Sequence, residues 1–266
     1  AGATSAPGFR NRARVFGSDA PIKPGEYEVR KGMGAGDILR MMQEGRTVQR
    51  FVTVPEGMPS IMVWERLMAE PRLTGTVAVP AEGSVLPDTY AFTTGESRAA
   101  VVARMQAAMT RTFDALWAKR SPRTAAKDRN EAITLASIVE KETGVAAERR
   151  TVAGVYTNRL AIGMRLQADP TIIYPITKGK PLGRRILRSE IQAVNGYNTY
   201  AMAGLPKGPI ANPGKASIAA VLDPEPNEYL YFVAKGDGGH VFARTLSEHN
   251  ANVQKWYELR RDRGEM

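Results

Sequence analysis

The chain has 266 residues, no cysteine and a formal net charge of +10. Disulfides, thiol nucleophiles and thiolate metal sites are thereby excluded, and His240 and His249, the two histidines, are too few to hold a metal alone. A hydrophobic content of 43% against 24% charged residues fits a globular chain with a sizeable core, and the positive balance suits an acidic partner such as nucleic acid, an anionic lipid surface or an anionic polymer.

Residues 1–18, opening AGATSAPGFRNR, read as a flexible tail. No run of 18 apolar residues and no signal-peptide core follows. GEYEVRKG is strand-like and AGDILRMMQEG reads as a short amphipathic helix; QRFVTVPEG and PSIMVWERLMAE repeat that order. Val29-x-x-Gly32-Met33 aligns with Val54-x-x-Gly57-Met58, a weak internal repeat of a strand-turn-helix unit. The second copy looks like a LysM module, a small fold associated with N-acetylglucosamine polymers. A plain scaffold that binds no sugar is the alternative.

Residues 71–95 are punctuated by Pro80, Gly83, Pro87 and Gly95, with VLPDTYAF as a candidate strand. Ser97 to Lys119 has the period of a long amphipathic helix, burying Val101, Val102, Met105, Met109, Phe113, Leu116 and Trp117. A second helix is expected over Lys127–Thr143. Its apolar stripe is Leu135, Ile138 and Val139, and Glu142 falls on that stripe, at i+7, i+4 and i+3 from them. A carboxyl turned towards a core loses water, which raises its pKa towards the range of a general acid. Glu140 projects to a different side. Gly144 is the expected helix stop. The alternative is an ordinary helix end whose glutamate pairs with Lys or Arg.

A further helix is expected over Glu148–Ile162, capped by Gly163, and then a polar loop, Met164–Thr171. Residues 175–188 are basic and turn-rich, and 196–213, GYNTYAMAGLPKGPIANP, hold too many Gly, Pro and Asn for regular structure. Loops of this composition are either structural turns or ligand grooves; Tyr and Asn suit sugars, since rings stack on sugar faces while amides bond hydroxyls. A helix over Lys215–Leu222, a strand over Glu228–Ala234, HVFARTLSEHN and a terminal helix complete the chain. The basic residues are scattered, without an aromatic-rich basic strand or a zinc-finger pattern, so nucleic acid is not the expected partner.

ASIVEKET, VAGVYTNRL, IGMRLQADPT, YNTYAMAGLPKGPIANPG and YLYFVAKGDGGHVFARTLSEHN, in that order, strongly resemble the YceG-like family of endolytic murein transglycosylases. LPDTYAF extends the match upstream. The resemblance implies an α+β fold: a small LysM-like α/β subdomain over 19–80, after the tail of 1–18, and a larger mixed α+β catalytic domain over 81–266. It implies a lyase without cofactor or metal that cuts the β-1,4 bond between N-acetylmuramic acid and N-acetylglucosamine. Glu142, second carboxylate of the Glu-Lys-Glu motif, is the implied catalytic residue. Gln167, Asp169, Thr171, Asn198, Thr199, Tyr200, Asn212, His240 and Asn250 are the implied groove residues. Peptidoglycan strands and cell-wall synthases are the implied partners. The implied setting is the periplasm, beside an inner membrane in which a single N-terminal helix anchors family members; this chain shows no such anchor and reads as a soluble fragment. A non-catalytic peptidoglycan-binding scaffold is the rival reading.

Overall fold

The computed structural model describes residues 20–23 and 25–264; the tail expected over 1–18 lies outside the described residues. The first unit holds α1 (Ala35–Glu44), β1 (Arg50–Thr53), α2 (Ser60–Ala69) and β2 (Thr89–Phe92). β1 and β2 pair antiparallel, Arg50 opposite Phe92 and Thr53 opposite Thr89. Val52 and Val54 point inward while Phe51 and Thr53 are exposed, the two-residue alternation of a sheet with one covered face. Val63 and Leu67 of α2 close over that face with Tyr90 and Phe92.

The first copy of the repeat does not form its strand. Residues 26–30 are irregular and Val29 is exposed, because β1 takes its partner from β2 and leaves no covered face against which Val29 could be buried. The LysM-like boundary expected at residue 80 falls between the two strands of this sheet. The same core continues past it to Val101, Val102 and Met105 of α3 (Arg98–Trp117).

Met109 and Phe113, further along α3, enter a second core. At its centre lies α4 (Arg129–Glu142), started by Asp128, whose carboxylate accepts the Glu131 N–H at 2.9 Å. Every residue from Ala132 to Val139 is buried, so the one-sided stripe expected from the sequence is a helix enclosed all round. Its end also differs. Thr143 leaves the helix in an extended conformation (φ −133°, ψ 129°) and its hydroxyl accepts the Val145 N–H at 3.0 Å; Gly144 is not left-handed.

After a 3-10 turn (Ala146–Glu148) come α5 (Arg149–Ala161), α6 (Pro170–Thr177), α7 (Arg188–Gln192) and α8 (Lys215–Leu222). α6 begins inside the expected loop, with Pro170 in the first turn, where its missing N–H costs nothing. β3 (Tyr231–Ala234) and β4 (His240–Ala243) form a second antiparallel pair, Ala234 opposite His240. α9 (Leu246–Asp262) follows, opened by the reciprocal cap of Thr245 and Glu248. The described residues form an α+β fold of helices with two small sheets. Among the described residues no helix is long and apolar enough to cross a membrane.

Candidate active site

The last residue of α4, Glu142, lies on the wall of a cavity of about 450 Å³. Tyr156 and Arg159 reach it from one face of α5, Gln167 and Asp169 from the loop before α6, and Tyr200 from the loop after α7. Tyr231 and Phe232 of β3 and His249 and Asn250 of α9 complete it. Oε1 of Glu142 is buried and has no hydrogen-bond partner. Burial, reinforced by the Asp169 carboxylate, pushes the Glu142 pKa up to about 7, against the opposing pull of the Tyr156 hydroxyl and the Arg159 guanidinium. Near neutral pH such a group both gives and takes a proton.

Arg159 ties the walls together. It is buried, and its guanidinium donates to the Leu230 carbonyl and the Leu166 carbonyl, each at 2.6 Å. Its cationic group lies 5.5 Å from the Tyr231 ring centre. The other face of the arrangement is His249, stacked on Tyr231 at 5.2 Å and 23°. Burial and the Arg159 charge lower the His249 pKa, leaving a neutral imidazole at pH 7. Across the cavity the Tyr200 hydroxyl donates to Asp169 Oδ1 at 2.7 Å.

Gln167 sits at φ 49°, in the left-handed region that a residue with a side chain occupies only under constraint. The constraint is visible. Its N–H donates to the Thr199 carbonyl at 3.2 Å, and the next amide, Ala168, donates to the Thr199 hydroxyl at 3.0 Å. Thr199 and Thr171 are joined hydroxyl to hydroxyl at 2.9 Å.

The residues singled out in the sequence therefore separate into two sets. Gln167, Asp169, Tyr200 and Asn250 share the cavity with Glu142. Thr171, Thr199, Asn198 and Asn212 are fully buried and do not line it. Asn198 gives its amide to the Ile191 and Ala193 carbonyls at 2.9 and 2.7 Å, closing the end of α7. Asn212 bonds the Met58 carbonyl at 3.0 Å and accepts the Val85 N–H at 3.1 Å, clamping the loop before α8 to the first unit. His240 pairs with Glu148 at 2.8 Å and packs edge-on against Phe232, one layer behind the wall.

Sequence reasoning did not single out Tyr156, Arg159, Tyr231, Phe232 or His249 as site residues. For Arg159 a signal was present: it falls at i+7 from Val152 and i+4 from Val155, a charge on an apolar stripe, the pattern that marks Glu142. Of the two histidines the resemblance pointed to His240, whereas His249 is the one on the cavity wall.

The sequence profile of the YceG-like family matches residues 2–255. The chain belongs to the YceG-like family. Among its relatives, the endolytic murein transglycosylase of Bacillus subtilis (strain 168) is 28% identical over 274 residues, covering 91% of this chain and 75% of that protein. The protein of the same name from Streptococcus pneumoniae (serotype 2, strain D39) is 28% identical over 281 residues. That match takes in 87% of this YceG-like chain and 50% of the pneumococcal protein, so the chain spans about half that relative's length. A crystal structure of a YceG-like protein from Listeria monocytogenes superposes with a TM-score of 0.64 at 28% identity, over 93% of this chain and 90% of that one.

Proposed function

We propose that this YceG-like chain is a lytic transglycosylase of peptidoglycan, cutting glycan strands internally between N-acetylmuramic acid and N-acetylglucosamine with Glu142 as its single acid and base. One observation carries the reading: a buried carboxyl, poised near pH 7, on the wall of a cavity furnished with Tyr, Gln and Asn side chains. The names of the Bacillus and Streptococcus relatives support the reaction class.

Protonated Glu142 gives its proton to the glycosidic oxygen as the bond from that oxygen to C1 of muramic acid breaks. The sugar's own 6-hydroxyl oxygen then closes on C1. Glu142, now a carboxylate, takes the hydroxyl proton and returns to its starting form. The product carries a 1,6-anhydro end. Hydrolysis would instead call for a second carboxylate to act as base or nucleophile; Asp169, the candidate for it, is engaged by Tyr200. Intramolecular attack needs no recruited water, and holding the hydroxyl over C1 removes much of the entropic barrier.

On the same reading the first unit is a LysM-like subdomain that contacts glycan, and the protein works at the outer face of the inner membrane beside the cell-wall synthases. The test is mass spectrometry of sacculi or nascent strands digested by the purified protein. Anhydro ends that vanish with Glu142→Gln are the expected result. Reducing ends would assign the attack to water, and strand retention without any cleavage would leave a binding scaffold.

A further inference from the structure

A second cleft, of about 440 Å³, adjoins the catalytic cavity through consecutive residues: Lys141 lines the cleft where Glu142 lines the cavity, and Pro170 where Asp169 does. The two differ in chemistry. Pro55, Met58, Met62, Ile173, Leu182 and Ile210 make its apolar walls, with Glu56, Lys141 and Lys180 as the charged residues among them, so apolar side chains find more contact here than in the catalytic cavity. Methionines adapt to irregular apolar chains. One end of the cleft depends on a glycine. Gly179 is left-handed at φ +82°, and a Cβ there would stand 2.8 Å from Cβ of Pro59, so glycine lets the 179 loop approach the start of α2. Of the charged residues that line it, Lys180 is paired with Glu65 and Glu56 with Arg149. Lys141 has no ion-pair partner among the described residues.

We infer that this cleft takes the peptide borne by the muramic acid of the strand held at Glu142. An acyl peptide with small apolar side chains fits the walls, and Lys141 meets one of its carboxylates. The inference rests on the glycan reading above and adds to it a requirement for peptide-bearing substrate. It also gives the first unit a part in the site, since Pro55 to Met62 form one wall of the cleft.

The experiment compares nascent strands carrying their peptides with the same strands stripped by an amidase, for the wild type, Lys141→Met and Met62→Trp. The wild type cleaves peptide-bearing strands faster, and both variants lose that advantage while cleaving stripped strands at the wild-type rate. Leu182→Gln tests the same wall should Met62→Trp not fold. A second measurement needs no turnover: calorimetry with free N-acetylmuramoyl tetrapeptide, whose binding Lys141→Met weakens by about tenfold, the size of one charge-assisted contact. Equal wild-type rates on both strands overturn the inference, as does a loss that is the same on stripped strands. If neither strand yields anhydro ends, the glycan reading fails. Calorimetry then decides the cleft by itself, with Lys141-dependent binding sustaining it and no binding overturning it.

Discussion

Glu140 and Glu142 stand two residues apart at the end of one helix and meet opposite surroundings. Glu140 accepts the Gly214 N–H at 2.8 Å and faces Arg149 at 3.8 Å. Glu142 turns a buried Oε1 that nothing bonds towards the core side of its cavity. One carboxylate is satisfied and holds the start of α8 in place; the other is kept short of solvation, the condition for proton transfer.

That contrast sets the sign of a stability change. The folded pKa of Glu142 is raised from 4.5 to about 7, so its stabilising contribution is complete below the unfolded value and lost as pH rises through about 7. Glu142→Gln is therefore expected to gain stability at pH 8 relative to pH 4, by at most about 3 kcal/mol for a shift of this size. Glu140→Gln should destabilise at pH 8, since it weakens a satisfied contact. Urea unfolding of both variants at the two pH values reads the difference; a Glu142→Gln protein less stable than wild type at pH 8 would contradict the burial argument.

Cleavage should follow the protonated fraction of Glu142 and fall off above about pH 7. Asp169→Asn removes a negative neighbour that raises this pKa, so the alkaline limb should move to lower pH. Rate profiles of the two proteins between pH 5 and 9 check the direction, and carbon NMR of the labelled Glu142 carboxyl gives the same quantity without turnover.

Arg159 combines a charge with a fork that holds two carbonyls. Arg159→Lys retains the charge and loses the fork, so activity should drop about tenfold or more with the alkaline limb in place. Arg159→Met also removes the charge that favours ionised Glu142, and should move the limb to higher pH. An identical limb in Arg159→Met and wild type would show that the guanidinium has no electrostatic hold on the acid.

Asn212→Ala tests the scaffold set. It leaves the buried Val85 N–H without its acceptor, while the Met58 carbonyl keeps the backbone N–H of residue 212 at 3.2 Å; one buried donor left unmet costs about 1–3 kcal/mol. Thermal unfolding should show that cost, while the pH profile of the surviving activity keeps its shape. A displaced profile would place Asn212 in the proton-transfer machinery.

Much of the architecture was legible in the chain because local patterning dictates it. The period of Val101 to Phe113, the helix Lys215–Leu222 and the Gly- and Pro-rich stretch before it all stand where spacing and turn chemistry put them. The Glu-Lys-Glu motif also pointed to position 142. Non-local contacts decided the rest. The segment around Val29 has a strand's alternation but no sheet edge to join, and α4 is buried all round because α5, α6 and α8 pack along it. Which polar motif residues face the cavity was likewise hidden, since Thr199 and Asn212 read like sugar ligands until their partners, Thr171 and Val85 among them, are known, and Asn198 until its amide is seen to close the end of α7. Glu140 finds Gly214 across 74 residues of chain. Whether a carboxyl is solvated, paired or stranded depends on such distant neighbours, and no periodicity records them.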